Sequence, residues 1–232
     1  MLSIIIPTYN EAATIKATIE RLRQYDKDGL TKEIIISDGG STDDTVAIAK
    51  TIGVKTVISP QKGRAAQMNY GAFLATGEIL YFLHADTIPP ENFTNEICFT
   101  VKQGYGIGSY RLSFDYNHWF LKLNCWFTRV NVNAVRFGDQ SLFVEKEIFK
   151  KSGGFREDLI MMEDQEIIHR LKRHGKFIVM KGQVITSARK YLDNGIYRMQ
   201  GIFYKIWLLY YLGCSQEYLL QTHRKLIKKN KL

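Results

Sequence analysis

Residues Glu78–Thr87 read E-I-L-Y-F-L-H-A-D-T and decide the fold of this chain. The apolar run Ile79–Leu83 is short, rich in β-forming residues and followed by two prolines, which indicates a strand buried on both faces. In open α/β sheets, ligands bind outside the carboxyl ends of such strands. Asp86 lies at that end, and a carboxylate there costs solvation unless something pairs with it. Two interpretations of Asp86 have equal weight: a ligand for a divalent cation, or the first residue of the turn into the prolines.

The segments before this strand alternate between strand and helix patterns. This alternation predicts right-handed crossovers and a mostly parallel central sheet flanked by helices, which is an α/β fold. Ser41 and Asp44 resemble a capping box for the second helix. We expect the carboxyl ends of the first four strands to share one edge of the sheet. The predicted elements are strand Leu2–Ile6, helix Ala12–Gln24, strand Glu33–Ser37, a helix after Ser41, strand Val54–Ile58 and helix Gly63–Ala75.

The second half of the chain is less regular. It contains no internal repeat and no linker, so one domain spanning residues 1–232 is predicted. The predicted elements are helix Pro90–Gln103, strand Gly106–Asp115, a helix and loop over Trp119–Phe137, strand Leu142–Val144, helices Lys146–Lys151 and Glu163–His174, and strands Phe177–Met180 and Val184–Thr186.

Composition limits the class of protein and its partners. The chain is ordinary globular material at 45% hydrophobic and 24% charged residues. Its net charge of +9 favours an anionic partner, which is a nucleotide diphosphate, an anionic lipid or a nucleic acid. The three widely spaced cysteines indicate neither a disulfide framework nor a zinc site, so a reducing, cytoplasmic location is expected. The run Leu2–Ile6 is too short for a signal peptide, and no apolar run predicts a transmembrane helix.

Five motifs occur together in a recognisable order between Ser3 and Leu171. They are S-I-I-I-P-T-Y-N-E, I-I-I-S-D-G-G-S-T-D-D-T, K-G-R-A-A-Q-M-N-Y-G-A, F-L-H-A-D-T and M-E-D-Q-E-I-I-H-R-L. Each motif alone is weak, but the ordered set resembles glycosyltransferase family 2. The resemblance implies the Rossmann-like GT-A fold, which binds nucleotide-diphosphate sugars. The stretches F-G-D-Q, M-M-E-D-Q and T-S-A-R-K-Y further resemble a small bacterial branch associated with arsenosugar biosynthesis.

The resemblance implies that residues 1–103 bind the donor nucleotide sugar. Thr8 and Glu11 would contact its base and ribose, and Asp38 would accept from the uracil ring or a ribose hydroxyl. Arg64 opens a helix, and a helix N-terminus with a guanidinium suits a phosphate or a ribose. Taken singly, these residues are more simply turns and a solvated arginine; taken together on one edge, they favour a site. The implied donor-binding residues are Pro7, Thr8, Asn10, Glu11, Asp38, Gly63, Arg64, Ala85 and Asp86.

The sequence His84-Ala85-Asp86 matches the D-x-D position of the family, with His84 in place of the first acid. In the family the second acid reaches a Mg²⁺ or Mn²⁺ ion that bridges the donor phosphates. One carboxylate plus diphosphate oxygens is enough for Mg²⁺, whereas imidazole suits Mn²⁺ better. The resemblance therefore implies a divalent cation, Mn²⁺ or Mg²⁺, on Asp86. The favoured interpretation of His84 is a packed, hydrogen-bonded histidine.

Glu163 and Asp164 open a predicted helix, where two acids are also unremarkable because the helix N-terminus stabilises anions. In inverting transfer, an acceptor hydroxyl attacks the anomeric carbon while a carboxylate takes its proton. The resemblance implies that Asp164 is this base and that residues 104–195 form the acceptor and catalytic half. Its implied acceptor residues are Gly138, Asp139, Gln140 and Glu163, and Arg189 is a weaker phosphate contact.

The C-terminal segment 196–232 is aromatic and then basic. Gly201–Gly213 is rich in aromatics and leucine, and five cations follow without an acid after Glu217. This pattern is typical of an interfacial helix on an anionic membrane, at the inner face. The favoured alternative is a helix that covers the sheet or forms a homodimer contact. The five cations are Arg224, Lys225, Lys228, Lys229 and Lys231.

The leading functional hypothesis is an inverting, metal-assisted glycosyltransferase of the hexosyltransferase type, with a UDP-sugar donor favoured and an unknown hydroxyl acceptor. A sugar-nucleotide nucleotidyltransferase is one alternative, but it would need a Gly-rich, Arg-containing loop where this chain has P-T-Y-N-E. A non-catalytic sugar, nucleotide or nucleic-acid binder is the other. It would be indifferent to Asp86 and Asp164, and its binding would depend steeply on salt. No nucleic acid is expected because no aromatic stacking platform is apparent.

Overall fold

The strand at the centre of the sequence analysis also lies at the centre of the sheet. A computed structural model describes residues 1–132 and 138–228. In it, β4 (Ile79–Phe82) is fully buried between β1 (Leu2–Thr8), which is parallel to it, and β7 (Leu142–Glu145), which is antiparallel. Residues 133–137, at the end of the predicted helix and loop, and the tail residues beyond 228 lie outside the described residues.

The sheet has eight strands in the order β3-β2-β1-β4-β7-β6-β8-β5. The pairs β1–β2, β1–β4, β2–β3 and β6–β8 are parallel and the other three are antiparallel, so the predicted α/β fold with a mostly parallel sheet is confirmed. The other strands are β2 (Thr31–Asp38), β3 (Lys55–Ile58), β5 (Thr87–Ile88), β6 (Ile107–Phe114) and β8 (Phe177–Thr186). The helices are α1 (Ile15–Tyr25), α2 (Thr45–Thr51), α3 (Arg64–Leu74), α4 (Phe93–Lys102), α5 (Trp119–Phe127), α6 (Lys146–Ser152), α7 (Glu163–Leu171), α8 (Arg189–Asn194), α9 (Ile196–Tyr211) and α10 (Gln216–Leu226).

Helices cover both faces of the sheet, which explains why the central strands are apolar throughout. Successive side chains of β1 alternate between two cores, with Ile4 and Ile6 in one and Ile5 in the other. The first core adds residues of α1 and α4, and the second adds residues of α3, α6 and α7. A strand between two such layers has no solvent-facing side, so no polar alternation is expected in its sequence.

Strand β1 is longer than predicted. The predicted strand ends at Ile6, but β1 continues through Pro7 and Thr8 and pairs them with Ser37 and Asp38. The pairing of β1 with β4 ends at Ile5, so Pro7 lies beyond it. Proline is tolerated here because the ladder between β1 and β4 has ended before it, so its missing N–H interrupts none of the paired residues of that ladder.

Two short predicted strands are one in the structure. Strand β8 runs without interruption from Phe177 to Thr186 beside β6, with a register shift opposite Ser109–Arg111. Gly182 lies in the polar stretch that suggested a break, and a Cβ at this position would lie 3.1 Å from Tyr110. The strand continues through that stretch because it pairs with β6 across a bulge. The local sequence pattern does not reveal this pairing with a distant strand.

The predicted helix boundaries shift by three residues at three places. Helix α1 begins at Ile15 rather than Ala12. Helix α4 begins at Phe93 rather than Pro90, because the two residues Thr87–Ile88 form strand β5 against β8. Helix α7 ends at Leu171, and a turn leads from there to Gly175.

The predicted capping box is wrong. Helix α2 begins at Thr45, and the side chain of Asp44 makes no capping hydrogen bond. The Ser41 hydroxyl instead donates to Asp38 Oδ2 at 2.6 Å and accepts from Asn10 N at 2.8 Å. The Ser41 side chain therefore joins the loops after β1 and β2 by hydrogen bonds and does not cap α2.

Helices α8 and α9 close a third core with α5. Leu121, Ala188, Met199, Ile202 and Ile206 are among its buried residues. One face of α9 therefore covers the fold, as the favoured interpretation of this segment predicted. Within the two described ranges, no helix has both the length and the hydropathy needed to cross a membrane.

Candidate active site

The carboxyl ends of β1 and β2 are joined directly. Thr8 Oγ1 donates to Asp38 Oδ2 at 2.8 Å. The side-chain amide of Gln67, on α3, donates to Thr8 O at 2.6 Å and to Ser37 O at 2.9 Å. Sequence analysis missed Gln67, although its place one helical turn after Arg64 was a usable signal.

Asp38 is fully buried and already accepts four hydrogen bonds. Its donors are Thr8 Oγ1, Gly40 N at 2.9 Å, and the N and Oγ of Ser41 at 2.7 and 2.6 Å. A carboxylate has about four acceptor sites, so all are in use. In this arrangement Asp38 holds the loop after β2, and a contact with a donor ligand would have to displace one of these bonds.

Asp38→Ala is expected to lower the free energy of unfolding by about 3 kcal/mol or more. The substitution leaves several donors without an acceptor, and each unsatisfied buried group costs about 1–3 kcal/mol. Urea unfolding measures the change. The matched control is Asp44→Ala in the same loop, because the Asp44 side chain is exposed and makes no cap, so a loss below about 0.5 kcal/mol is expected. Equal losses in the two variants would contradict the structural role of Asp38.

Asn10 ties the loop after β1 to the loop after β2. Its backbone is left-handed, with φ of 53°, a conformation that Asn adopts more readily than most residues. Asn10 N donates to Ser41 Oγ, and its side-chain oxygen accepts from Thr42 N at 2.9 Å. The next residue, Glu11, donates its backbone N–H to Thr45 Oγ1 at 2.8 Å.

Two predicted donor-binding residues from distant parts of the chain, Glu11 and Asp86, meet at Arg189. Its Nη2 donates to Glu11 Oε2 at 2.8 Å and to Asp86 Oδ2 at 3.1 Å. Burial raises the pKa of Asp86 above its ordinary value; the charge of Asp139 adds to this rise, whereas His84 and Arg189 oppose it. The guanidinium is one-third exposed, so the cluster opens to solvent.

His84 pairs with Asp139 beside this cluster. Its Nδ1 lies 3.2 Å from Asp139 Oδ1, and the imidazole is mostly buried. Burial acts to raise the pKa of Asp139, but the hydrogen bond and charge of His84, with the charge of Arg64, lower it to about 2. The structure therefore contains the hydrogen-bonded histidine that sequence analysis favoured, and it brings the predicted acceptor residue Asp139 to the D-x-D position.

Arg64 and Glu163 form a partly buried ion pair across the site. Arg64 Nε donates to Glu163 Oε1, and the Glu163 side chain is 1% exposed. Its second oxygen, Oε2, has no hydrogen-bond partner among the described residues. Asp164 follows in the first turn of α7, where burial and the negative charge of Glu163 raise its pKa to about 6.

A cavity of about 30 Å³ lies between these groups, roughly the volume of one water molecule. Arg64, His84, Glu163 and Asp164 form its polar wall, and Phe82 is among the side chains of its apolar wall. A larger groove of about 380 Å³ lies at the opposite edge, near the start of β2, and contains none of the predicted site residues.

For several of the remaining predicted residues, the structure shows mainly backbone features. Gly63 precedes α3 with φ of 119°, a conformation that favours glycine. Ala85 is buried, and its carbonyl accepts from Thr18 Oγ1 at 2.7 Å, which fixes the loop between His84 and Asp86. Gly138–Gln140 form a 3-10 turn that presents Asp139.

Lys190 is a charged residue that sequence analysis missed. It interacts electrostatically with Asp139 and Asp86. Its position directly after Arg189 in S-A-R-K was the available signal.

Residues 3–131, more than half of the chain, match the family model described as Glycosyl transferase family 2. A 99-residue segment is 34% identical to the glucosyl-3-phosphoglycerate synthase of Mycobacterium tuberculosis, covering 38% of this chain and 30% of that protein. A 96-residue segment is 32% identical to an uncharacterized glycosyltransferase of Rickettsia typhi, covering 41% and 31%. The matches thus span less than a third of the length of these curated relatives.

Two solved structures are similar over nearly the whole chain. The mannosyltransferase PcManGT of Pyrobaculum calidifontis, in complex with GDP-Man and Mn²⁺, has a TM-score of 0.69 at 18% identity and covers 97% of this chain and 73% of its own. The M. tuberculosis glucosyl-3-phosphoglycerate synthase, in complex with Mn²⁺, UDP and glucosyl-3-phosphoglycerate, has a TM-score of 0.63 at 20% identity and covers 92% and 80%. These likenesses concern the fold. With the five ordered motifs and the match over residues 3–131, they show that this chain has the GT-A fold and belongs to glycosyl transferase family 2.

Proposed function

We propose that this protein is an inverting glycosyltransferase that moves a sugar from a nucleotide-diphosphate sugar, with UDP favoured, to an acceptor hydroxyl. One observation carries the proposal. Asp164, whose pKa is raised to about 6, lines a cavity at the same edge of the sheet as the cluster of Glu11, Asp86 and Arg189. A base close to neutrality beside a polar donor cleft is the arrangement that sugar transfer to a hydroxyl requires.

The donor would occupy the loops after β1, β2 and β4. Arg189 is well suited to a diphosphate because a guanidinium binds phosphate oxygens with charge-assisted hydrogen bonds. In the structure, Glu11 and Asp86 hold this guanidinium by two ion pairs. The favoured nucleobase of the donor is uracil. The relative that is 34% identical over 99 residues is named glucosyl-3-phosphoglycerate synthase, and a protein of the same name was solved with UDP.

Asp86 is the residue we propose as the ligand of a divalent cation, Mn²⁺ or Mg²⁺. Among the described residues no group of three or more His, Cys, Asp or Glu side chains is arranged to hold a metal ion. The fit rests on a mostly buried carboxylate with further negative charge nearby from Asp139 and Glu11, to which donor phosphate oxygens would be added. When bound, such an ion would neutralise charge on the leaving nucleoside diphosphate.

The acceptor hydroxyl would approach Asp164, which takes its proton as the hydroxyl oxygen attacks the anomeric carbon. Arg64 fixes Glu163 by one oxygen and leaves Oε2 as a hydrogen-bond acceptor in the cavity region. We infer that this oxygen orients the acceptor. Residues 1–103 would then bind the donor, and residues 104–195, with Gly138–Gln140, would frame the acceptor. Membership of the arsenosugar-associated branch remains a prediction of the motifs.

Isothermal calorimetry of UDP and GDP, each with Mn²⁺, with Mg²⁺ and with chelator, tests the donor half of the proposal. We expect UDP to bind in the presence of metal and its binding to weaken strongly with chelator. Metal-dependent binding of GDP alone would replace the favoured base. Failure of both nucleotides under all conditions would contradict a nucleotide-sugar donor of either kind.

A further inference from the structure

Exposed apolar side chains follow one face of α5. Trp119, Leu123, Trp126 and Phe127 recur at helical spacing, and each is between 46% and 64% exposed. Leu121 is the buried hydrophobic residue of this helix. An amphipathic helix normally turns its apolar stripe toward the core, so α5 presents the opposite arrangement.

Helix α9 presents a second exposed stripe. Tyr197, Tyr204, Leu208 and Tyr211 share one face and are each more than half exposed. The opposite face of α9 is buried in the third core. The exposed stripe therefore does not contribute to the third core.

The two stripes form one surface. The rings of Trp119 and Tyr197 are 6.4 Å apart between centroids, and those of Phe120 and Tyr197 are 4.9 Å apart. Further along, Tyr204 Oη donates to the side-chain oxygen of Asn124. We call the surface formed by the exposed side chains of α5 and α9 the aromatic face. A continuous apolar surface of this kind marks an interaction site.

The two segments that carry the aromatic face contribute charges of one sign. Residues 119–132 and 196–215 contain four cations and no Asp or Glu. These cations are Lys122, Arg129, Arg198 and Lys205. Since the whole chain carries a net charge of +9, this surface complements an anionic partner.

We propose that the aromatic face docks on the surface of an anionic lipid bilayer, with α5 and α9 lying in the interface. Trp and Tyr are enriched at bilayer interfaces, where one part of the ring is apolar and the other wet. Lys and Arg beside them are attracted to anionic headgroups. A second copy of the chain fits less well, because a two-fold interface would bring this cationic surface against a copy of itself.

Tryptophan fluorescence gives a direct test, because all three tryptophans of the chain, Trp119, Trp126 and Trp207, lie on these two helices. The full chain is mixed with vesicles of phosphatidylcholine alone, or with one quarter phosphatidylglycerol. We expect a blue shift and co-sedimentation with the anionic vesicles, both weakened by salt. Absence of both signals at low salt would overturn the proposal.

Paired variants show whether the aromatic face is responsible. Leu123→Ser combined with Leu208→Ser is expected to weaken vesicle binding by about 10-fold or more, because both side chains would be buried in the interface. The matched control is Phe73→Ser combined with Phe99→Ser, which removes side chains that are 80% and 62% exposed on α3 and α4. Equal binding by the two double variants would overturn the proposal.

A charge reversal tests the same surface without changing its apolar area. Lys122→Glu is expected to weaken binding to anionic vesicles, whereas Lys16→Glu, at an exposed site on α1, is not. Thermal unfolding shows that each variant is folded. Light scattering tests the alternative that a second copy of the chain covers the aromatic face. A wild-type protein that is a dimer and does not bind vesicles, and that Leu123→Ser converts to a monomer, would assign this surface to a second copy instead.

Discussion

Asp164→Asn is expected to reduce the rate of sugar transfer by about 10²–10⁴-fold while UDP binding stays close to that of the wild type. The amide keeps the shape of the side chain and its hydrogen bond to the start of α7, but it cannot take a proton from the acceptor. Transfer is measured with an acceptor found by screening, and UDP binding is measured by calorimetry. Asp158→Asn is the matched control, since this aspartate is exposed in the loop before α7.

The pH dependence of the wild type provides an independent check of the same assignment. The base must be ionised to act, and burial with the charge of Glu163 raises the pKa of Asp164 to about 6. The value of kcat/KM should therefore rise with pH up to about 6 and level off above it. A fully active Asp164→Asn variant, or a rate that is flat between pH 5 and 7, would show that another group is the base.

Asp86→Ala is expected to abolish the metal-dependent part of UDP binding. Loss of an outer-shell partner already weakens metal affinity by about 10–100-fold, so loss of the proposed ligand should weaken it by at least about 100-fold. Calorimetry with Mn²⁺ and with chelator measures the difference. The fold should survive, because Arg189 keeps its ion pair with Glu11 and the substitution removes a mostly buried charge without adding a new one.

The control for this experiment is Glu20→Ala, on an exposed surface of α1. It should bind UDP with the same metal dependence as the wild type. If Asp86→Ala also keeps this dependence, the cation is held elsewhere. A variant that loses UDP binding even with chelator present would instead show that Asp86 contacts the nucleotide itself.

The sequence predicted the first half of the fold well. Residues Ile79–Leu83 and Glu33–Ser37 are apolar runs between turn residues, and both are buried strands. Their pattern is strong because each strand is covered on two faces. Prediction was weaker for β8, whose polar centre resembles a loop, and for β5, which is too short to have a pattern.

The sequence by itself determined which chemical groups stand at the ends of the strands: Glu11, Asp38 and Asp86 follow apolar runs, and Asp164 opens a helix. Only the tertiary structure decided how they pair. Arg189 reaches Glu11 across 178 positions of the chain, and Arg64 reaches Glu163 across 99. It also turned the apolar stripe of α5 outward, although the same spacing usually marks a buried face. The physical reason is that sequence periodicity shows only which side chains share one face of a helix. The packing of the whole chain decides which of these faces are covered and which charges become neighbours.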